Sequence, residues 1–170
     1  MAKKIFDKYG ISVEVEPILV EGKQAEFVRV VEPDGVVILP ISDDSILIEK
    51  HYRHSMHGYV CELPAGHISK GEPPIEAAKR ELAEETGYRP RQIRFMFRAR
   101  EAQPRMPHYL NFFVASSLVK RRKIHDPREK ISVSWVRRSR FEQMIKQGKI
   151  TDLKTITAYA YYKMAGSGRP

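Results

Sequence analysis

A chain of 170 residues and 19.7 kDa has enough sequence for one ordinary domain and a small appendage, not for two full cores. Its 42% hydrophobic and 30% charged content is a globular balance that excludes fibrous, low-complexity and disordered classes. Apolar runs such as Val36–Leu39 are far short of a bilayer span, and the charged start MAKKIFDKYG argues against a signal peptide, so a soluble, cytoplasmic protein without membrane contact is expected. The single cysteine, Cys61, rules out an internal disulfide and lacks the paired spacing of a zinc site. The formal net charge of +9 is regional: residues 91–149 hold 16 Lys or Arg against 4 Asp or Glu. Such a field suits phosphate-bearing ligands, nucleotides or nucleic acid alike, and is equally compatible with a merely solubilising surface.

In chain order, Ile11, Val13 and Val15 alternate with Ser12, Glu14 and Glu16, the period of a half-exposed strand. Glu21-Gly22-Lys23 turns into a second strand near Ala25 to Val31, and Pro33-Asp34-Gly35 turns again. Residues 1–34 therefore read as a strand arm suited to pairing with a second subunit, since two strands cannot bury an apolar face alone. Val36 to Ile41 and Ser45 to Lys50 form a hairpin apolar enough for a buried sheet. Pro73-Pro74 starts a helix over Ile75 to Thr86, and Gly87 stops it. Ile93, Phe95, Phe97 and Ala99 then face one way, with Arg94, Met96, Arg98 and Arg100 facing the other. Tyr109 to Ser116 and Ile131 to Val136 read as further strands, with Trp135 packed in the core. Two helices follow, near Arg140 to Gln147 and Asp152 to Met164. The expected fold is an α/β layered domain over residues 35–165 with a mixed central sheet covered on both faces, and a flexible tail over 166–170.

The segment GHISKGEPPIEAAKRELAEETGY, Gly66 to Tyr88, carries the chemistry. On a helix Glu81 and Glu85 are four apart and Glu84 is three from Glu81, so three carboxylates share a region where like charges repel unless a cation neutralises them. A cluster of hard oxygen donors favours Mg²⁺, or Mn²⁺, over zinc. Gly66 and Gly71 permit the tight path that brings a backbone carbonyl toward the same cation. Arg80 can fix one carboxylate by a bidentate pair. Taken alone, EAAKRELAEE would also suit a solvated helix with Glu76–Arg80 pairing. His51, His54 and His57 recur every three residues but straddle a strand end, which suits a polar rim better than a zinc site.

The segment resembles the Nudix box, G-x5-E-x7-R-E-U-x-E-E-x-G-U with U apolar or bulky, at every specified position: Gly66, Glu72, Arg80, Glu81, Glu84, Glu85, Gly87 and Tyr88. The resemblance implies an α/β/α sandwich and hydrolysis of a nucleoside diphosphate linked to another moiety. It further implies divalent metal held by Glu81, Glu84, Glu85 and the carbonyl of Ala65. Arg80 and Glu84 count among the catalytic candidates, while Gly66, Glu72 and Gly87 shape the motif. Glu62-Leu63-Pro64-Ala65-Gly66, the strand ending His51-Tyr52-Arg53, Pro104 and the tail GKITDLKTITA are similar to the ADP-ribose pyrophosphatase branch. Arg29, Arg53, Glu62 and Pro104 are therefore the expected substrate-binding residues, and the arm is expected to form a homodimer.

The chain departs from that branch at Gln103-Pro104-Arg105, where many members carry Ser-Pro-Gly, and has His108 near a position that is usually acidic. The catalytic base of the branch sits in a loop before the last core strand, where Glu129 is better aligned than Asp126; both could instead balance Lys123, Arg128 and Lys130. The expected activity is metal-dependent cleavage of the pyrophosphate of ADP-ribose or a related nucleoside diphosphate sugar, giving a nucleoside monophosphate and a sugar phosphate. The alternatives are a hydrolase of RNA 5′ ends or dinucleoside polyphosphates, favoured by the basic region, and a non-catalytic nucleotide-binding module.

Overall fold

The computed structural model describes residues 2–121 and 130–166. Its first three strands, β1 (Lys3–Lys8), β2 (Ile11–Val20) and β3 (Lys23–Val31), form a separate antiparallel sheet in that order. Both connections place two consecutive residues at positive φ, Tyr9 (58°) with Gly10 (77°) and Glu21 (50°) with Gly22 (77°). Those left-handed pairs match the right-handed twist of the strands they join. β1 was not expected from the sequence, because its six residues are all exposed and a register shift between Lys4 and Phe6 breaks any alternation. Ile5, Phe6, Leu19, Val20 and Phe27 remain exposed on this arm.

A seven-stranded sheet follows, ordered β10-β5-β4-β9-β8, with β6 on β5 and β7 on β4. Its strands are β4 (Gly35–Ser42), β5 (Ser45–Arg53), β6 (Gly58–Glu62), β7 (Ala65–His67), β8 (Tyr88–Arg100), β9 (Tyr109–Lys120) and β10 (Ile131–Arg137). β4 pairs parallel with β9 while the remaining pairings are antiparallel, so the sheet is mixed. β4 is buried along seven of its eight residues, as a strand covered on both faces must be. Val36 and Ile38 join Ala77, Ala78, Leu82, Phe113 and Ala115 in one core beneath helix α1 (Pro74–Thr86). Val37, Leu39 and Ile41 join Phe112, Val114, Phe141 and Tyr159 in the other. That second core lies under α2 (Arg138–Lys146) and α3 (Leu153–Met164), which completes the α/β/α layering.

Two sequence expectations change here. A register shift between Phe95 and Phe97 turns Met96 inward (8% exposed) and leaves Phe95 49% exposed. Ile93 therefore belongs to the α1 core, but Phe97 and Ala99 belong to the other. A one-residue bulge flips every later side chain to the opposite face. Trp135 is not a core residue: β10 is an edge strand, and the indole is 37% exposed with its ring edge-on to Tyr88 at 5.9 Å.

The feature that builds a cleft is the parting of β4 from β5. They pair only at Ile41–Ile46 and Ser42–Ser45; beyond that β7 takes over β4, and β6 takes over β5 from Glu49 to Arg53. No described helix is long and apolar enough to cross a membrane.

Candidate active site

Bonds at the bend between β6 and β7 hold the parted strands in place. Ile38 N–H donates to Pro64 O at 2.9 Å, and Leu63 N–H donates to Thr155 Oγ1 on α3 at 2.9 Å. Ala65–Gly66 is thereby laid across the inner flank of α1. Ala65 N–H donates to Glu85 Oε2 at 2.9 Å. Gly66 approaches α1 so closely that a Cβ there would overlap the Glu81 carboxylate, which is the physical reason glycine stands at the head of the motif.

α1 has Pro73 before its first turn and ends on Gly87 in the left-handed conformation at φ 75°, whose N–H donates to Ala83 O. Ala78, Leu82 and Glu85 fall at i, i+4 and i+7 on its buried stripe. Glu85 is thus drawn inward to 5% exposure, Glu81 lies beside it, and Glu84 stands at the rim with its side chain 41% exposed. Arg80 joins the set: Nη1 donates to Glu81 Oε1 at 2.7 Å and to Glu84 Oε2 at 3.1 Å. Its Nε and Nη2 each reach Glu72 at 2.9 Å, and Nη2 also donates to His67 O at 2.9 Å. Those bonds from Arg80, with a further one from Ser69 N–H, hold the Glu72 carboxyl down at about 2. Glu72 reciprocally raises the Arg80 guanidinium further above its ordinary value. The loop after β7 is in this way tied to the helix that carries the carboxylates.

Ala65, Gly66, Arg80, Glu81 and Glu85 line, with Arg53, a cleft of about 680 Å³, whereas Glu72 and Glu84 lie outside its wall. Glu62 lies beneath Arg53, accepting from its Nε and Nη2, each at 2.8 Å, and its Oε1 is 3.3 Å from His51 Nδ1. Burial pushes the Glu62 carboxyl up against the opposing pull of Arg53. Lys154 also lines the cleft. Burial works to lower the Lys154 ammonium, but the bond to Asp152 Oδ1 at 2.8 Å prevails and holds it above its ordinary value.

The other expected residues lie elsewhere. Arg29 pairs with Glu14 at 2.7 Å and Glu16 at 3.7 Å on the arm and does not line the cleft of its own chain. Pro104 sits in a turn docked on β3: Val30 N–H donates to Arg105 O at 2.9 Å, and Arg105 Nη1 donates to Val28 O at 3.2 Å. Glu129 and Asp126 lie outside the described residues. Of the three histidines, only His51 turns inward; His54 and His57 are exposed.

Sequence reasoning passed over Glu49 and Lys154. Glu49, His51 and Glu85 are all buried and bring ligand atoms within 4.8 Å of one another. The signal was present: Glu49 interrupts the apolar run of β5, and His51, two residues on, shares its face. A cation fits this region by its donors, since Glu81 and Glu85 offer carboxylate oxygens beside a glycine that carries no side chain.

Comparison with known proteins agrees with this architecture. The NUDIX domain family model matches residues 31–159. The chain is 28% identical over 166 residues to a methanol dehydrogenase activator of Bacillus methanolicus, covering 95% of this chain and 90% of that one. It is 27% identical over 164 residues to an ADP-ribose pyrophosphatase of Bacillus subtilis, covering 95% and 86%. A crystal structure of an ADP compounds hydrolase shares the fold with a TM-score of 0.87 at 22% identity, over 100% of this chain and 95% of that one.

Proposed function

The chain belongs to the NUDIX domain family of pyrophosphate-cleaving hydrolases, and from that premise we propose that it hydrolyses the pyrophosphate of ADP-ribose or a related nucleoside diphosphate sugar. The products are a nucleoside monophosphate and a sugar phosphate. The observation that carries this reading is the close approach of Gly66 to the Glu81 carboxylate, which brings the Ala65–Gly66 backbone against the acidic face of α1 with no side chain between them. The near full-length similarity to an ADP-ribose pyrophosphatase supports the substrate class.

In this reading Glu81, Glu84, Glu85 and the Ala65 carbonyl hold Mg²⁺ or Mn²⁺. When bound there, a divalent cation neutralises the diphosphate and acidifies a water for attack at phosphorus. Arg80 keeps Glu81 and Glu84 from drifting apart in the absence of ligand, at the 2.7 and 3.1 Å bonds described above. Glu85 is fixed by Ala65 N–H, so its carboxylate enters the reaction already oriented. Arg53 meets the nucleotide or its phosphates while the Glu62 pair fixes its guanidinium plane. The proton of the attacking water goes to a carboxylate, for which Glu129 is the candidate from the sequence. The exposed apolar residues of β1–β3 support an arm that pairs with a second copy.

The test is a substrate panel with Mg²⁺, comprising ADP-ribose, other nucleoside diphosphate sugars, dinucleoside polyphosphates and 5′-triphosphate RNA, scored by identified products. Release of AMP and ribose 5-phosphate is the expected result. Cleavage of the RNA alone, with ADP-ribose untouched, rejects the proposal.

A further inference from the structure

Also lining the cleft, His108 is buried to 2% side-chain exposure and faces two carboxylates. Its Nδ1 lies 3.2 Å from Glu32 Oε1, and its Nε2 lies 3.4 Å from Glu101 Oε2. Despite that proximity, Nδ1 makes no hydrogen bond. Glu32 Oε2 is also 3.9 Å from Nε2 of His67, whose side chain is 60% exposed. Ligand atoms of Glu32, Glu101 and His108 lie within 4.8 Å of one another, and all four residues line the cleft.

We propose that Glu32 and His108 form a second divalent-cation site, of the borderline class typified by Zn²⁺, that is separate from the carboxylates of α1. Three observations point the same way. Two ligands of a tetrahedral ion with bonds of about 2.0–2.1 Å sit about 3.3 Å apart, close to the Nδ1–Oε1 spacing of 3.2 Å. A metal-bound imidazole gives its other N–H to a carboxylate, which fixes its tautomer and orientation; Glu101 stands at that nitrogen. Nitrogen in the donor set shifts preference from Mg²⁺ toward Zn²⁺. Glu32 and His108 Nδ1 are therefore ligands and Glu101 is the orienting partner. His67, at the mouth, has the freedom to turn in as a third ligand. Glu32 comes at the end of the arm, His67 from β7, and Glu101 and His108 from the β8–β9 connection, so an ion here ties three segments together.

The experiment uses the full chain stripped by chelator and dialysed, titrated calorimetrically with Zn²⁺ alone. Co²⁺ absorption serves as the spectroscopic check on nitrogen ligation, and a thermal melt checks the fold. Expected results are a Zn²⁺ site kept in Glu85→Gln, lost in His108→Gln, and weakened about 10- to 100-fold in Glu101→Gln. His67→Gln, an exposed change, weakens it as well and serves if His108→Gln does not fold. Zn²⁺ stoichiometry and affinity unchanged by Glu101→Gln and His67→Gln overturn the proposal. So does a site abolished by Glu85→Gln, which would place the ion on α1. Because binding and not turnover is read, failure here leaves the hydrolase reading standing.

Discussion

Gly66→Ala isolates the contact on which the active-site reading depends. The added methyl would overlap the Cδ, Oε1 and Oε2 atoms of Glu81. Carbon atoms rest at about 3.5–4.0 Å, so the carboxylate has to retreat by more than about 1 Å. It is the far end of a flexible side chain, and the backbone of α1 can stay in place. The stability loss is then chiefly the Arg80–Glu81 bond at 2.7 Å, a charge-assisted bond of about 1.5–3 kcal/mol. The lower end applies, because the Arg80 side chain is 32% exposed and keeps its bonds to Glu72, Glu84 and the His67 carbonyl. At about 2–4 °C per kcal/mol for a chain of this size, the melting temperature falls by roughly 3–6 °C. Misplacing a catalytic group by about 1 Å costs about 10²-fold in rate, so kcat/KM falls by that factor or more while the fold persists. Gly71→Ala is the control, with nothing within 4 Å of its Cβ but φ at +80°: it costs about 1–2 kcal/mol of backbone strain and leaves turnover at the folded enzyme's level. Steady-state kinetics across a Mg²⁺ titration, beside thermal melts, separates the two. Gly66→Ala with undiminished kcat/KM would refute the placement of Glu81 at the reacting centre.

Glu85→Gln removes most activity without unfolding the chain, and chelator abolishes wild-type turnover; full activity in either case, read by product release, contradicts cation binding at α1. Arg53→Ala raises KM for ADP-ribose more than it lowers kcat, the pattern of lost uniform binding; a pure kcat defect would place Arg53 in the chemical step instead. For Glu72, whose folded value is depressed from 4.5 to about 2, the stabilising contribution is fully present above the ordinary carboxylate range and is lost as pH falls toward 2. Urea unfolding of Glu72→Gln therefore shows lower stability than wild type at neutral pH and a flatter decline between about pH 5 and 2. Deleting residues 1–31 lowers the mass per particle in sedimentation to that of one chain; an unchanged mass ratio means that the arm has another use.

The features legible in the sequence were those fixed by local chemistry. α1 announced itself because Pro73-Pro74 and Gly87 set its ends within one residue, and the arm's second turn because Glu21-Gly22 supplies paired positive φ. β4 reads as buried because its apolar run is continuous. What escaped depends on partners distant in sequence. β6 and β7 are five and three residues long, too short to show a period, and exist because β4 and β5 part. The bulge falls at Met96, the one apolar residue on the expected arginine face, where Phe95-Met96-Phe97 breaks the alternation, but its direction depends on the pairing with β9. Glu32 entered no motif, and Lys154 entered only as part of the segment GKITDLKTITA, because their significance is a shared cleft between residues 122 positions apart.

Charge within that cleft is divided in a way that bears on how a diphosphate sits. Glu81 and Glu85 occupy the α1 side, while Arg53 and Lys154 come from β5 and α3. Each of those two cations is already matched to a carboxylate, Arg53 to Glu62 and Lys154 to Asp152, at 2.8 Å. The cleft is therefore not a net positive trap. A dianionic linkage gains little from cations whose charge is already compensated, and it is repelled by the α1 carboxylates. Tight binding of substrate and of a divalent cation are on this account coupled, each lowering the electrostatic cost of the other. The coupling is measurable as a substrate affinity that rises with free Mg²⁺ in Glu129→Gln, a variant that keeps every group named here. Substrate affinity independent of Mg²⁺ would mean that Arg53 and Lys154 suffice to hold the diphosphate, and that the α1 carboxylates act only after it is bound.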